Sequence, residues 1–101
     1  MKLWIDDVRP VPNTKEYLAA PSVNIAKTFI EMSENQNNPF ELIDIDHDAG
    51  DWTEFGGDYI KLLDWLEETG RNYPIRIHSM NVVGRMNMEA ICKRNGWTIV
   101  E

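Results

Sequence analysis

The sequence predicts an α/β domain in which helices cross over one parallel β-sheet, and three observations support this fold class. The chain has 101 residues, which is enough for one domain, 1–101, with a single core. Hydrophobic side chains make up 43% of it and charged side chains 27%, as in ordinary globular proteins. Short apolar runs alternate with stretches of helical periodicity in the order β β α β α β α β, which is typical of parallel strands joined by helices.

The first half of the chain contains three predicted strands and one helix. An apolar run at residues 3–7 forms the first strand, which two following prolines prevent from continuing, and a weaker strand covers residues 16–20. Ser22 caps a helix whose apolar positions recur at helical spacing, and asparagines from Asn35 onwards end it. Residues 40–46 form the third strand, which carries an unusual acid in its middle.

The second half of the chain alternates helices with strands. A helix with leucines on one face ends at Gly70. Residues 74–79 form the fourth strand, and Asn81 caps a third helix that ends at Gly96. Residues 97–100 supply the last strand, so the predicted sheet has about five strands.

The handedness of the crossovers predicts where the helices lie. If the strands take the flavodoxin-like order 2-1-3-4-5, right-handed crossovers put all three helices on one face of the sheet. An uncovered face should alternate apolar and polar side chains, and residues 43–46 and 75–78 alternate isoleucine with Asp, Arg or His. We infer that Asp44 and Arg76 pair on neighbouring strands of that face. The same uncovered face is the candidate surface for a homodimer.

Polar side chains gather where the predicted strands end. The first strand ends in Asp6 and Asp7, the third in the Asp-His-Asp sequence of residues 46–48, and the fourth in His78 and Ser79. The carboxyl ends of parallel strands meet at one edge of the sheet, where open α/β proteins bind their ligands. Both histidines of the chain and four carboxylates are therefore predicted to lie together.

Carboxylates that are brought together repel, and a bound cation or a shared proton relieves the repulsion. Hard oxygen ligands suit Mg²⁺ or Mn²⁺, and four carboxylates supply them: Asp6, Asp7, Asp46 and Asp48. His47 or His78 can shift the preference toward Mn²⁺ or Zn²⁺, or can transfer protons in catalysis, with Ser79 beside them. Asn81 and Arg85, at the start of the third helix, complete a site for a phosphate-sized anion.

Each of these side chains also has a structural explanation. Alternation along the strands places His78 on the side of Asp46, which makes His78 the first candidate for proton transfer. It places His47 on the other side, where ligand, catalyst and packing roles all stay open. The remaining alternatives are a turn for Asp6 and Asp7, a backbone hydrogen bond for Ser79, a helix cap for Asn81 and a surface ion pair for Arg85.

Four motifs follow one another along the chain. They are Leu-Trp-Ile-Asp-Asp-Val-Arg-Pro at 3–10, Asp-His-Asp at 46–48, Gly-Asp-Tyr at 57–59 with Trp-Leu-Glu-Glu at 65–68, and Ile-Arg-Ile-His-Ser-Met-Asn at 75–81 followed by Gly-Arg. Together they resemble the small receiver-like domains called cyclic-phosphate processing receiver domains. The resemblance runs from the first strand through the third helix. It implies a receiver fold and action on cyclic phosphate ends of RNA or nucleotides.

Carried over residue by residue, the resemblance assigns the site to nine side chains: Asp6, Asp7, Asp46, His47, Asp48, His78, Ser79, Asn81 and Arg85. Three departures from the family pattern concern the substrate more than the fold. Asp44 stands where such sequences more often have a small neutral residue, Ala49 stands where leucine is usual, and the loop at 51–56 has a sequence of its own.

The site residues lead to three hypotheses about function. The first is a metal-dependent phosphoesterase that opens or removes a cyclic phosphate on an RNA end or a nucleotide. The second is a signalling module in which Asp46 accepts a phosphoryl group, as in ordinary receivers, but no lysine follows the last strand and both histidines are left unexplained. The third is a domain that binds a cyclic phosphate without cleaving it.

The net charge of -7 is concentrated in the middle of the chain. Residues 40–68 contain ten acids and one base, whereas residues 69–101 contain five bases and two acids. This balance argues against extended nucleic-acid binding, which needs a basic surface, but it allows contact with a single terminal phosphate. No apolar run approaches the roughly 20 residues of a membrane span, and acids near the start argue against a signal peptide, so we expect a cytoplasmic protein.

Overall fold

Helices and strands follow one another in the order that the sequence predicts. The computed structural model describes all residues, 1–101. Its elements are β1 (Lys2–Ile5), β2 (Tyr17–Ala20), α1 (Val23–Asn35), β3 (Ile43–Ile45), a single 3-10 turn (Gly50–Trp52), α2 (Ile60–Glu68), β4 (Ile75–Ile77), α3 (Val82–Asn95) and β5 (Ile99–Val100). β3 is shorter than predicted: Phe40 and Leu42 are buried, which accounts for the apolar pattern, but they lie outside the strand.

The sheet has five parallel strands in the order β2-β1-β3-β4-β5. This is the flavodoxin-like order that the sequence predicts. β1, β3 and β4 are therefore consecutive in the middle of the sheet, and their carboxyl ends lie side by side. The register places Asp44 of β3 between Trp4 of β1 and Arg76 of β4, as the predicted pairing of Asp44 with Arg76 requires.

One face of the sheet carries the hydrophobic core. The inward side chains of the three central strands are at most 3% exposed: Leu3, Ile5, Ile43, Ile45, Ile75 and Ile77. Each helix adds apolar side chains to the same cluster, among them Ile30 of α1, Leu66 of α2 and Met88 of α3. Burying a side chain of this size stabilises the fold by roughly 1.5–3 kcal/mol. The three helices therefore cover the same face, as predicted.

The opposite face carries aromatic and polar side chains and no helix. Trp4 and Asp44 project from it, and Asp44 is fully buried. The loop between β1 and β2 closes over part of this face, because the indole Nε1 of Trp4 donates to the carbonyl of Arg9 (3.0 Å). In turn, the guanidinium of Arg9 donates to the carbonyl of His78 (3.1 Å). The face is thus free of helices but covered by its own polar network, and the homodimer through it stays a prediction.

The helix ends follow the predicted capping chemistry. Ser22 Oγ accepts a hydrogen bond from the backbone N–H of Ile25 (3.1 Å), and Asn81 Oδ1 accepts one from Gly84 (2.9 Å). Gly96 ends α3 with φ of 69°, a left-handed conformation that glycine adopts without strain. The capped start of α3 fixes the position of the residues that follow Ser79.

The single cysteine and the lengths of the helices bear on two further expectations. Cys92 is fully buried in α3, and burial raises the pKa of its thiol to about 11. It therefore packs as a small apolar side chain, as the sequence predicts. None of the three helices is long and apolar enough to cross a bilayer.

Candidate metal and phosphate site

The carboxyl ends of the three central strands bring together the side chains of Asp6, Asp46 and His78. One candidate ligand atom from each of these residues lies within 4.8 Å of the others. The parallel register explains the grouping, because each residue directly follows its strand and the strands are neighbours in the sheet. Two carboxylates and an imidazole at this spacing form a ligand set that suits a divalent cation.

His78 lies between two carboxylates. Its Nε2 is 2.9 Å from Asp6 Oδ2 and its Nδ1 is 2.7 Å from Asp44 Oδ1. The ring stacks on Trp4 with centroids 4.0 Å apart and an interplanar angle of 2°. A neutral imidazole has one N–H and can donate only one of these two hydrogen bonds. His78 is therefore held rigidly, and neither ring nitrogen is free of a protein partner.

Asp44, in the middle of β3, holds the ring of His78 through its Oδ1. Its Oδ2 accepts hydrogen bonds from the guanidinium of Arg76 (3.0 Å) and from the hydroxyl of Tyr17 (3.2 Å). Burial opposes ionisation of this carboxyl, but the hydrogen bonds from His78 and Arg76 prevail and hold its pKa below the ordinary value. Sequence analysis predicts the pairing with Arg76 and misses the contact with His78. The signal was present, since alternation places all three side chains on the same face.

Asp6 serves both the backbone turn and the site. Its Oδ1 accepts hydrogen bonds from the backbone N–H groups of Val8 and Arg9, each at 2.9 Å, which is the predicted turn. Its Oδ2 faces His78. Burial opposes ionisation, but the N–H groups of Arg9 and Val8 and the ring of His78 together lower the pKa of Asp6. The fold therefore stabilises the ionised form of Asp6.

Asp7 shows that negative charge is in surplus at this edge. Burial, followed by the nearby carboxylates of Asp6 and Asp46, raises the pKa of Asp7. Burial, followed by the carboxylates of Asp7, Asp6 and Asp46, also raises the pKa of Tyr59. No Lys, Arg or His side chain forms an ion pair with Asp7 or Asp46. A cation at this edge would relieve the repulsion.

His47 and Asp48 are not members of the three-residue cluster. Asp48 Oδ1 lies 2.9 Å from His47 Nδ1, and its side chain is 63% exposed. The structure therefore does not bring Asp48 into the predicted group of metal ligands. The ring of His47 lies against Gly84 at the start of α3, and its Nε2 has no hydrogen-bond partner in the protein.

The side chains at the start of α3 make the structural contacts that the sequence offered as alternatives. Ser79 Oγ accepts a hydrogen bond from the backbone N–H of Asn81 (3.1 Å), and Asn81 caps α3. Arg85 donates through Nε to Glu89 (3.0 Å), and its two terminal nitrogens have no protein partner. Their roles in catalysis and phosphate binding stay predictions.

The strand-end edge contains no enclosed pocket. The concave pockets of the molecule lie elsewhere, and the largest, of about 400 Å³, is lined by Asn24, Ile25, Thr28 and Phe29. Small molecules that are bound whole usually occupy enclosed pockets of roughly 300–1,000 Å³. The strand-end residues do not line a pocket of this kind.

The comparisons with known proteins bear on the family. The family model described as cyclic-phosphate processing Receiver domain matches residues 1–94. That range includes every strand-end residue of the site and all of α3 except its last residue. Comparison with curated proteins and with solved structures finds no match.

Proposed function

Since the chain belongs to the family of cyclic-phosphate processing receiver domains, we propose that it is a metal-dependent phosphoesterase acting on cyclic phosphate ends of RNA or nucleotides. The observation that carries the proposal is the cluster of Asp6, Asp46 and His78 at the carboxyl edge of the sheet. An acidic edge alone repels a phosphate, so a substrate with a terminal phosphate requires a cation there.

The residues at this edge fit Mg²⁺ or Mn²⁺. Asp6 and Asp46 would supply carboxylate oxygens, and His78 would supply Nε2. Asp44 would then accept the hydrogen bond from Nδ1 of His78, which selects the tautomer whose Nε2 carries no proton, and the cation would replace the present contact between Nε2 and Asp6. When bound, such a cation neutralises the charge of phosphate oxygens.

His47 is the proposed proton carrier. Sequence analysis favours His78, but both ring nitrogens of His78 contact carboxylates, whereas Nε2 of His47 has no protein partner. Arg85, with its free terminal nitrogens, would stabilise negative charge that develops on the phosphate. The two histidines therefore divide the work, one holding the cation and the other moving protons.

The proposed reaction adds one water molecule to the cyclic phosphate. The oxygen of the water bonds to phosphorus, and one of the two bonds that join phosphorus to ribose oxygens breaks. His47 takes a proton from the water and returns a proton to the released ribose oxygen. The products are one phosphomonoester and one free hydroxyl group, so atoms and charge balance without a further reactant.

The test uses adenosine 2′,3′-cyclic phosphate and an RNA oligonucleotide that ends in a 2′,3′-cyclic phosphate. Each is incubated with the full chain and Mn²⁺ or Mg²⁺, and ring opening is followed by phosphorus NMR. We expect turnover, and Asp46→Asn should lower kcat/KM by about 100-fold. Asp64→Asn is the matched control, because Asp64 lies on α2 and forms no ion pair. Absence of turnover with both metals would contradict the proposal.

Two other outcomes correspond to the alternative functions. Incubation with acetyl phosphate that adds the mass of a phosphoryl group, with the gain lost in Asp46→Asn, would support a phosphoacceptor. Saturable binding of the cyclic nucleotide with no turnover would support a binding domain. A cytoplasmic location, a terminal phosphate of RNA or a nucleotide as the partner, and a homodimer belong to the same proposal.

A further inference from the structure

Gly84 occupies an unusual place for a glycine. It lies inside α3, one turn from the start of the helix, and it is buried. Glycine is a poorer helix former than alanine because it loses more conformational freedom on folding. Its φ is not in the left-handed region, so the backbone conformation does not require glycine here. Glycine is therefore required here because a larger side chain would not fit.

The ring of His47 occupies the space in which a side chain at position 84 would lie. A Cβ atom at position 84 would lie 2.4 Å from Cγ and Cδ2 of His47 and 2.7 Å from its Nε2. Real Cβ atoms do not approach other heavy atoms this closely, so the ring rests directly on the Cα of Gly84. Movement of either partner would disturb an existing hydrogen bond. The N–H of Gly84 is bonded to Asn81, and the ring of His47 is held through Nδ1 by Asp48.

We propose that Gly84 is a positioning residue that seats the ring of His47 on the first turn of α3, next to the groups predicted to bind the phosphate. This inference rests on the proposed function, because it concerns how the proton carrier of that reaction is placed. The seat leaves Nε2 without a protein partner and close to the end of the helix that carries Asn81 and Arg85. Gly84 acts through His47 and touches no reacting atom itself.

The first test measures stability in a double-mutant cycle. Gly84→Ala should lower the Tm by about 5 °C or more, because the added methyl group collides with the ring. In the His47→Ala background, the same substitution should raise the Tm, because alanine is the better helix former and the ring is gone. The control is Asn87→Ala at an exposed position of α3, which should have the same small effect in both backgrounds.

This reversal of sign separates a seat for His47 from a general need for glycine. If Gly84→Ala lowers the Tm equally in both backgrounds, or raises it in both, the contact with His47 does not determine the residue and the inference is wrong. The double variant keeps the test decisive even if Gly84→Ala alone fails to fold.

The second test follows ring opening of adenosine 2′,3′-cyclic phosphate with Mn²⁺. We expect Gly84→Ala to lower kcat about tenfold and to leave KM and the affinity for Mn²⁺ within about twofold, since only the proton carrier is displaced. If the wild-type chain turns over and Gly84→Ala keeps its kcat, the positioning role is overturned. If the wild-type chain has no activity, the proposed function fails, and the sign of the Tm change alone decides whether Gly84 seats His47.

Discussion

Two networks of partly buried carboxylates lie at opposite ends of the sheet, and they differ in their balance of charge. At the amino end of β4, Glu34 at the end of α1 accepts hydrogen bonds from Arg71, the shortest at 2.9 Å, and one from Tyr73 at 2.6 Å. Arg71 also lies over the ring of Trp65, 4.3 Å from its centroid. We call this group the Glu34 network.

The strand-end site, formed by Asp6, Asp7, Asp46 and His78, has no such balance. One carboxylate meets one guanidinium in the Glu34 network, so its charges cancel inside the protein. At the strand-end site there are three carboxylates and one imidazole, and of the three only Asp6 forms an ion pair with it. The arginine on the same face is already paired with Asp44. Partly buried acids alone therefore do not indicate a ligand, whereas the uncompensated surplus of acids makes the strand-end site the candidate for a cation.

The largest expected loss of stability tests whether the charge of Asp44, like that of Glu34, is compensated within the protein. Asp44→Asn keeps the shape of the side chain but removes the charge that pairs with Arg76. We expect the free energy of unfolding to fall by roughly 2–3 kcal/mol, since the substitution weakens the charge-assisted hydrogen bonds that a fully buried carboxylate makes with His78 and Arg76. Urea unfolding measures it. Glu41→Gln is the control, because that side chain is 65% exposed and should change stability little. An Asp44→Asn variant as stable as the wild type would show that the ion pairs of Asp44 do not stabilise the fold.

The next largest expected effect, stabilisation by Mn²⁺, tests the surplus of carboxylates at the strand-end site. Mn²⁺ that binds only the folded chain should add about 2.7 kcal/mol to its stability at 100 times the dissociation constant. Thermal unfolding with and without Mn²⁺, reversed by EDTA, measures the gain. The gain should vanish in Asp46→Asn and persist in Glu34→Gln, because only the first substitution alters the strand-end site. An equal loss in both variants would show that the two networks do not differ in the way proposed.

Much of this contrast follows from the sequence, because its periodicity carries the topology. Apolar spacing and right-handed crossovers predict the strand order, and that order alone brings Asp6, Asp46 and His78 to one edge. Period-two alternation predicts the pairing of Asp44 with Arg76. These predictions hold because they depend on which face and which end of a strand a residue occupies, and the sequence pattern determines both.

Contacts beyond the strands could not be predicted in the same way. Asp48 follows the end of β3, where strand alternation no longer applies, and it turns toward His47 instead of the cluster. The close approach of His47 to Gly84 depends on the distance between a loop and a helix, which no periodicity encodes. The Glu34 network joins the end of α1 to the start of β4, two segments without a shared pattern.

A smaller effect concerns the balanced network itself. Glu34→Gln leaves the half-buried guanidinium of Arg71 without its carboxylate, so we expect a loss of about 1–2 kcal/mol at neutral pH. The hydrogen bonds from Arg71, ahead of the opposing effect of burial, hold the pKa of Glu34 below its ordinary value of 4.5. The stabilisation is therefore complete above pH 4.5 and disappears as the pH falls through the lowered pKa. Urea unfolding of both proteins across this range should show the difference shrinking toward zero, and a constant difference would contradict it.

The smallest expected effect is an increase in the free energy of unfolding, and its direction is what makes it informative. Asp7 is crowded by Asp6 and Asp46 and has no cationic partner, so its charge should cost stability when no cation is bound. Asp7→Asn in EDTA at neutral pH should therefore raise the free energy of unfolding by about 0.5 kcal/mol, whereas Glu34→Gln lowers it. Added Mn²⁺ should reduce the advantage of Asp7→Asn, because the cation already screens the repulsion that the substitution removes. Destabilisation by Asp7→Asn without metal would mean that the strand-end carboxylates are compensated within the chain, and the difference between the two networks would disappear.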